Sequence, residues 1–131
     1  MTSKPIFDVL EGKKPLDQVF PGFNPGFVDV RDVARMVLFT VQHPDKVDGE
    51  RFLLASAFSP VQAIADIIRE KYPQYRDRVI EGTKGERYLP GYAFPKETRY
   101  RAGKTVRVTG QEFIPWEKTV VDAVEQFKVF L

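Results

Sequence analysis

The sequence predicts an α/β domain of short parallel strands, packed helices and long loops, and three features carry that expectation. Two short apolar runs, Phe27-Val28-Asp29-Val30 and residues 51–56, each lead into a helical pattern, at 31–42 and 59–72. Strand, helix, strand, helix in close succession favours right-handed crossovers and parallel pairing. Near the end of the sequence, Trp116, Val120, Val124, Phe127 and Leu131 fall at steps of four, four, three and four, which is one helical face.

The 131 residues suit a single domain over 1–131. Hydrophobic residues make up 43%, with 11 Phe, 5 Tyr and 1 Trp, so a packed core is expected rather than disorder. Twenty basic residues against 18 acidic ones give a net charge of +2, scattered along the chain. That balance excludes an electrostatic case for nucleic acid or an anionic membrane. With no cysteine, disulfides, thiolate metal sites and cysteine nucleophiles are excluded. Met1-Thr2-Ser3-Lys4-Pro5 has no apolar signal core, and no run approaches the length of a membrane helix. A cytoplasmic protein is expected.

The first helix is expected over 3–11, capped by Ser3, with Pro5 in its first turn and Gly12 ending it. Residues 12–26 read as a loop, but Leu16, Val19, Phe20 and Phe23 make it too apolar for a solvated linker. Phe27 to Val30 is a short strand that runs into a helix over 31–42. Asp29 caps that helix and Asp32 joins it in the first turn, both facing free N–H groups. Val33, Ala34, Val37, Leu38 and Val41 form its inner face, widened by Met36 and Phe39. His43-Pro44 stops it.

Arg51-Phe52-Leu53-Leu54-Ala55-Ser56 reads as a strand covered on both faces. Ser59-Pro60-Val61-Gln62 reads as a Ser-capped helix start with Gln62 completing a capping box. Val61, Ile64, Ala65, Ile67 and Ile68 are its inner face, and Tyr72-Pro73 closes it. A third short strand is expected at 78–80, then a long irregular stretch at 81–98. The last helix starts near Pro115.

Two motifs stand out together: Phe27-Val28-Asp29-Val30-Arg31-Asp32-Val33-Ala34, and Glu112-Phe113-Ile114-Pro115-Trp116-Glu117-Lys118-Thr119-Val120-Val121-Asp122. In this order, with the strand from Arg51 and the helix from Ser59 between them, they resemble the extended short-chain dehydrogenase/reductases. The nearest branch is the dihydroflavonol-reductase-like part of the NAD-dependent epimerase/dehydratase family. The resemblance runs from about residue 5 to 127 and covers only the C-terminal, substrate-side part of a full-length member.

It implies a truncated lobe of an NADP-dependent ketone or aldehyde reductase acting on a small apolar or aromatic carbonyl compound of secondary metabolism. The family binds NADP on a Gly-rich turn at a helix N-terminus. No G-x-G-x-x-G is present, so no cofactor is expected for this chain alone. The family's catalytic Tyr and Lys lie four apart on a helix, where the Lys lowers the Tyr pKa. Tyr92 and Lys96 match that spacing, but Pro95 breaks the helix that would bring them to one face. Where full members carry Asp-x-Ser-Lys, this chain has Arg101-Ala102-Gly103-Lys104, keeping only the Lys.

Among the residues themselves, Asp29 and Asp32 read as helix caps and His43 as a residue at a helix end. The candidate acid–base groups are Tyr92, Lys96, Asp29 and His43. Phe20, Phe23, Tyr88, Tyr92 and Phe94 either line an apolar substrate pocket or anchor their loops. One histidine and no cysteine leave no metal site. Three readings follow: a non-catalytic reductase lobe, a cofactor-independent isomerase, dehydratase or cyclase working by positioning, or a binding subunit that completes another reductase chain. A detached lobe exposes an apolar face, which a homodimer or a reductase partner chain would cover.

Overall fold

Three helices enclose the core of the computed structural model, which describes residues 3–13, 26–98 and 101–131. They are α1 (Lys4–Leu10), α4 (Val61–Lys71) and α6 (Trp116–Phe127), and each packs on the other two. Leu10, Ile64, Ile68, Val120 and Val124 are the large apolar side chains wholly removed from solvent. The periodicity of α4 and α6 explains this. Ile64, Ile67 and Ile68 recur at helical spacing on one face, as do Trp116, Val120 and Val124.

Besides three short 3₁₀ turns, the other elements among the described residues are β1 (Gly26–Phe27), α2 (Val30–Gln42), α3 (Pro44–Val47), β2 (Ala57–Phe58) and α5 (Gly103–Thr109). The expected parallel strands are a correction. The sheet has two strands of two residues, and they run antiparallel, with Gly26 opposite Phe58 and Phe27 opposite Ala57. Asp29 caps α2 so soon after β1 that only Gly26 and Phe27 are paired as strand. The apolar run 51–56 forms no strand: among the described residues only Ser56, at its end, shares a backbone hydrogen bond, its N–H donating to the Phe27 carbonyl at 2.7 Å. Residues 78–80 form no strand either, and Val79 instead enters the core.

Several caps differ from expectation. Ser3 offers its backbone carbonyl, not its hydroxyl, to the N–H groups of Ile6 and Phe7. Ser59 does not cap α4, whose first residue is Val61 with Pro60 before it. Its hydroxyl donates to the Pro60 carbonyl at 3.3 Å. Gln62 makes no capping box and reaches Asp66 and the Glu81 carbonyl instead. Gly12 has φ +73°, and a Cβ there would lie 2.6 Å from the Arg78 carbonyl oxygen. Only glycine allows that turn off α1.

The inner face of α2 is a second correction. Asp32, Met36 and Phe39 are its buried residues, while Val37, Leu38 and Val41 face solvent. Buried carboxylates with partners outweigh the pull of unpartnered valines. Asp32 accepts from the Ile114 N–H at 3.0 Å and from Arg35, and Arg35 also holds the Glu112 carbonyl at 3.0 Å. These bonds set the rotation of the helix about its axis. Among the described residues, no helix is long and apolar enough to cross a membrane.

Candidate functional site

Asp29 lies where β1 turns into α2, and it is almost wholly buried. Its carboxylate accepts the Arg31 backbone N–H at 2.8 Å, as an N-cap should. It also accepts Arg31 Nε at 2.9 Å, Arg31 Nη2 at 2.7 Å and the Thr119 hydroxyl at 2.7 Å. Arg31 reaches on to Asp122 at 2.7 Å, and Lys118 approaches the same carboxylate at 2.9 Å. Arg31 holds the Asp29 carboxyl well below the usual carboxylate range, against the opposing effect of burial. A carboxylate so paired is a poor proton acceptor. This arrangement is a clasp between α2 and α6.

Beside the clasp is an open cleft of about 850 Å³, lined in part by Phe27, Asp29, Val30, Arg31, Trp116 and Thr119. Trp116 packs on Phe27 with ring centroids 4.6 Å apart and the ring planes tilted by 32°. Its indole N–H is buried and has no acceptor among the described residues. The sequence marked Trp116 as a core residue, and nothing in a one-letter pattern signals an orphaned donor.

The loop aromatics form a separate group. Tyr88 and Tyr92 stack with centroids 5.5 Å apart, and Phe94 meets Phe58 edge-on at 6.3 Å. Asp66 of α4 gathers this loop. It accepts from Tyr88 Oη, the Gly85 N–H and Gln62 Nε2, each at 2.8 Å. Sequence reasoning did not single out Asp66; its one signal was an acid on the flank of an apolar helix face. Burial and the Asp66 carboxylate push the Tyr88 phenol above its ordinary range.

Tyr92 ends a 3₁₀ turn, Pro90–Tyr92, with φ +57°. Lys96 is exposed in the turn that follows Pro95. No helix carries the two together. The Tyr92 phenol is raised by burial first, then by Glu117, Glu70 and Asp66. A tyrosine activated for proton exchange needs the opposite shift. His43 sits between α2 and α3 with its ring 4.4 Å from that of Phe39. Phe20 and Phe23 lie outside the described residues. Among the described residues, no hydrogen bond or ring contact joins the loop aromatics to Asp29 or His43.

Among the described residues, the starts of helices α2 and α4 do not offer the setting a dinucleotide takes. Its pyrophosphate needs backbone N–H groups at an open helix N-terminus behind a Gly-rich turn. The start of α2 already holds the Asp29 and Asp32 carboxylates, and α4 opens on Ser59-Pro60 with no glycine. Among the described residues, no cluster of three or more His, Asp or Glu could hold a metal ion.

No protein-family model matches the chain. A curated relative in Candida albicans, named "Putative NADPH-dependent methylglyoxal reductase GRP2", is 32% identical over 126 residues, which is 95% of this chain and 35% of that protein. The NADPH-dependent methylglyoxal reductase GRE2 of Saccharomyces cerevisiae is 30% identical over 84 residues, or 64% of this chain and 24% of that protein. The crystal structure of Gre2 from Candida albicans superposes with a TM-score of 0.73 at 27% identity, covering 95% of this chain and 35% of that one. The chain therefore spans about a third of the length of the relatives that match nearly all of it.

Proposed function

Starting from this chain's kinship with the C-terminal part of the short-chain dehydrogenase/reductase family, we propose that it supplies the substrate-side lobe of an NADPH-dependent carbonyl reductase. The observation that carries this reading is the pair of coverages. Nearly all of the chain matches a relative named for methylglyoxal reduction, yet it spans only about a third of that protein. The lobe's part in that chemistry is shape: a wall for a small apolar or aromatic carbonyl compound. Tyr88, Tyr92 and Phe94 are the proposed contacts, together with Phe20 and Phe23, which lie outside the described residues. Hydride transfer needs NADPH held by a dinucleotide-binding part, which this reading assigns to a region other than the lobe. A cytoplasmic setting belongs to the same proposal.

The test is direct. The purified chain is titrated against NADPH by fluorescence and assayed with methylglyoxal for loss of NADPH absorbance. Neither binding nor turnover is expected from the chain alone. Saturable NADPH binding by the isolated chain would overturn the reading.

A further inference from the structure

We infer that residues 82–91 form a strap that opens and closes against α4 as one unit, with Asp66 as its latch. This goes beyond the functional reading above and stands without it. Its consequence for that reading is that Tyr88 and Tyr92 make one wall only while the strap is shut.

The segment runs between two firm posts. Upstream, Val79 lies in the core. Arg69 of α4 donates to the Val79 carbonyl at 2.8 Å and pairs with Glu81 at 3.2 Å, and Gln62 donates to the Glu81 carbonyl at 2.7 Å. Downstream, Tyr92 packs against the core and Phe94 meets Phe58. Between the posts, every residue from 82 to 91 except Tyr88 is exposed. Firm ends with a bare middle are the setting in which a segment opens while the rest stays folded.

What holds the middle down converges on one atom. Among the described residues, the hydrogen bonds from 82–91 to α4 come from the Gly85 N–H and the Tyr88 hydroxyl, and both end on Asp66 Oδ2 at 2.8 Å. The other Asp66 oxygen accepts from Gln62 Nε2 at 2.8 Å, so the residue that fastens the upstream post also steadies the latch. Bonds to a carboxylate are stronger than neutral ones. The remaining backbone bonds of the segment are local: Glu86 N–H to the Thr83 carbonyl at 3.1 Å, and Tyr92 N–H to the Leu89 carbonyl at 2.9 Å. Neither touches Asp66.

The backbone works against the latch. Gly82 and Gly91 bound the segment at φ +58° and +67°, where glycine is at ease. Arg87, between them, has φ +67° and is not glycine. A Cβ makes that left-handed conformation unfavourable, and the free chain leaves it. The shut strap therefore sets two charge-assisted bonds against backbone strain at Arg87. Opening also parts the stack of Tyr88 on Tyr92, because the first ring travels with the strap and the second stays with its post.

The experiment is solvent exchange by NMR on the full chain at one pH, read at the amides of Gly85, Glu86 and Tyr92. Asp66→Ala should lower protection at all three by one common factor of about tenfold or more, with the amides inside α4 and α6 unchanged. Tyr88→Phe removes one latch bond and leaves α4 intact, so it carries the test independently of how the alanine variant folds. It should lower the three together by a smaller factor. Arg87→Gly relieves the left-handed strain and should raise protection at all three by about twofold or more.

Three results would overturn the inference. A fall confined to Gly85 would make Asp66 the partner of a single amide, with no strap. Lower protection in Arg87→Gly would show a loop that only gains freedom, with no strain for a latch to oppose. Three unprotected amides in the wild-type chain would show that the segment is not shut in solution.

Discussion

Asp29 is the residue on which most of the local structure converges. It caps α2, pairs with Arg31 and holds Thr119 of α6. Because its folded pKa is depressed, its contribution is fully present above the unfolded value, about 3.9, and is lost as pH falls toward the folded one. Asp29→Asn keeps a capping oxygen but removes the charge. It should cost about 2 kcal/mol near pH 7, with the difference from wild type shrinking between pH 5 and pH 2. Urea unfolding of both proteins across that range checks it. Trp116→Phe is the contrasting case. Removing a buried donor that has no acceptor among the described residues should leave the isolated chain within about 1 kcal/mol of wild type in the same assay, the lost indole packing offset by relief of the N–H.

At the scale of elements, the sequence reads well where apolar period and burial agree. The inner faces of α4 and α6 are as expected from Ile64, Ile68, Val120 and Val124. Ile68→Ala should cost about 3 kcal/mol, seen as a lower urea midpoint with an unchanged slope. Val37→Ser, on the exposed side of α2, should move that midpoint by less than about 0.5 kcal/mol.

The same period misled for α2, because a helix with apolar residues on two sides does not reveal which side its own chain covers. Asp32 and Arg35 decided it through partners 77 and 82 residues away, beyond any local pattern. Helix α5 had no readable signal. Gly-Lys-Thr-Val-Arg-Val-Thr is rich in β-branched residues, and only Gly110, left-handed at φ +66°, marks its end. The Asp29 cap was legible because the side chain and its N–H partner are two residues apart. The Asp66 clasp on Gly85 and Tyr88 was not, since it spans a loop with no period.

For the whole molecule, the core of α1, α4 and α6 is expected to unfold as one unit, with the 81–98 loop opening more easily. That loop is tied to the core through Asp66, Tyr88 and Tyr92. Asp66→Asn should therefore speed tryptic cleavage at Lys84 and Arg87 severalfold, with little change in the main melting transition, as followed by mass spectrometry of timed digests.

The clasp between Asp29 and α6 also bears on how the chain is made. Thr119 is 90 residues downstream of Asp29, and Asp122 is 91 downstream of Arg31. Helix α1 likewise waits for α4 and α6. During synthesis the first helices emerge long before the element that locks them. A ribosome stalled anywhere short of residue 122 would hold a chain whose second helix has its cap but not its anchor.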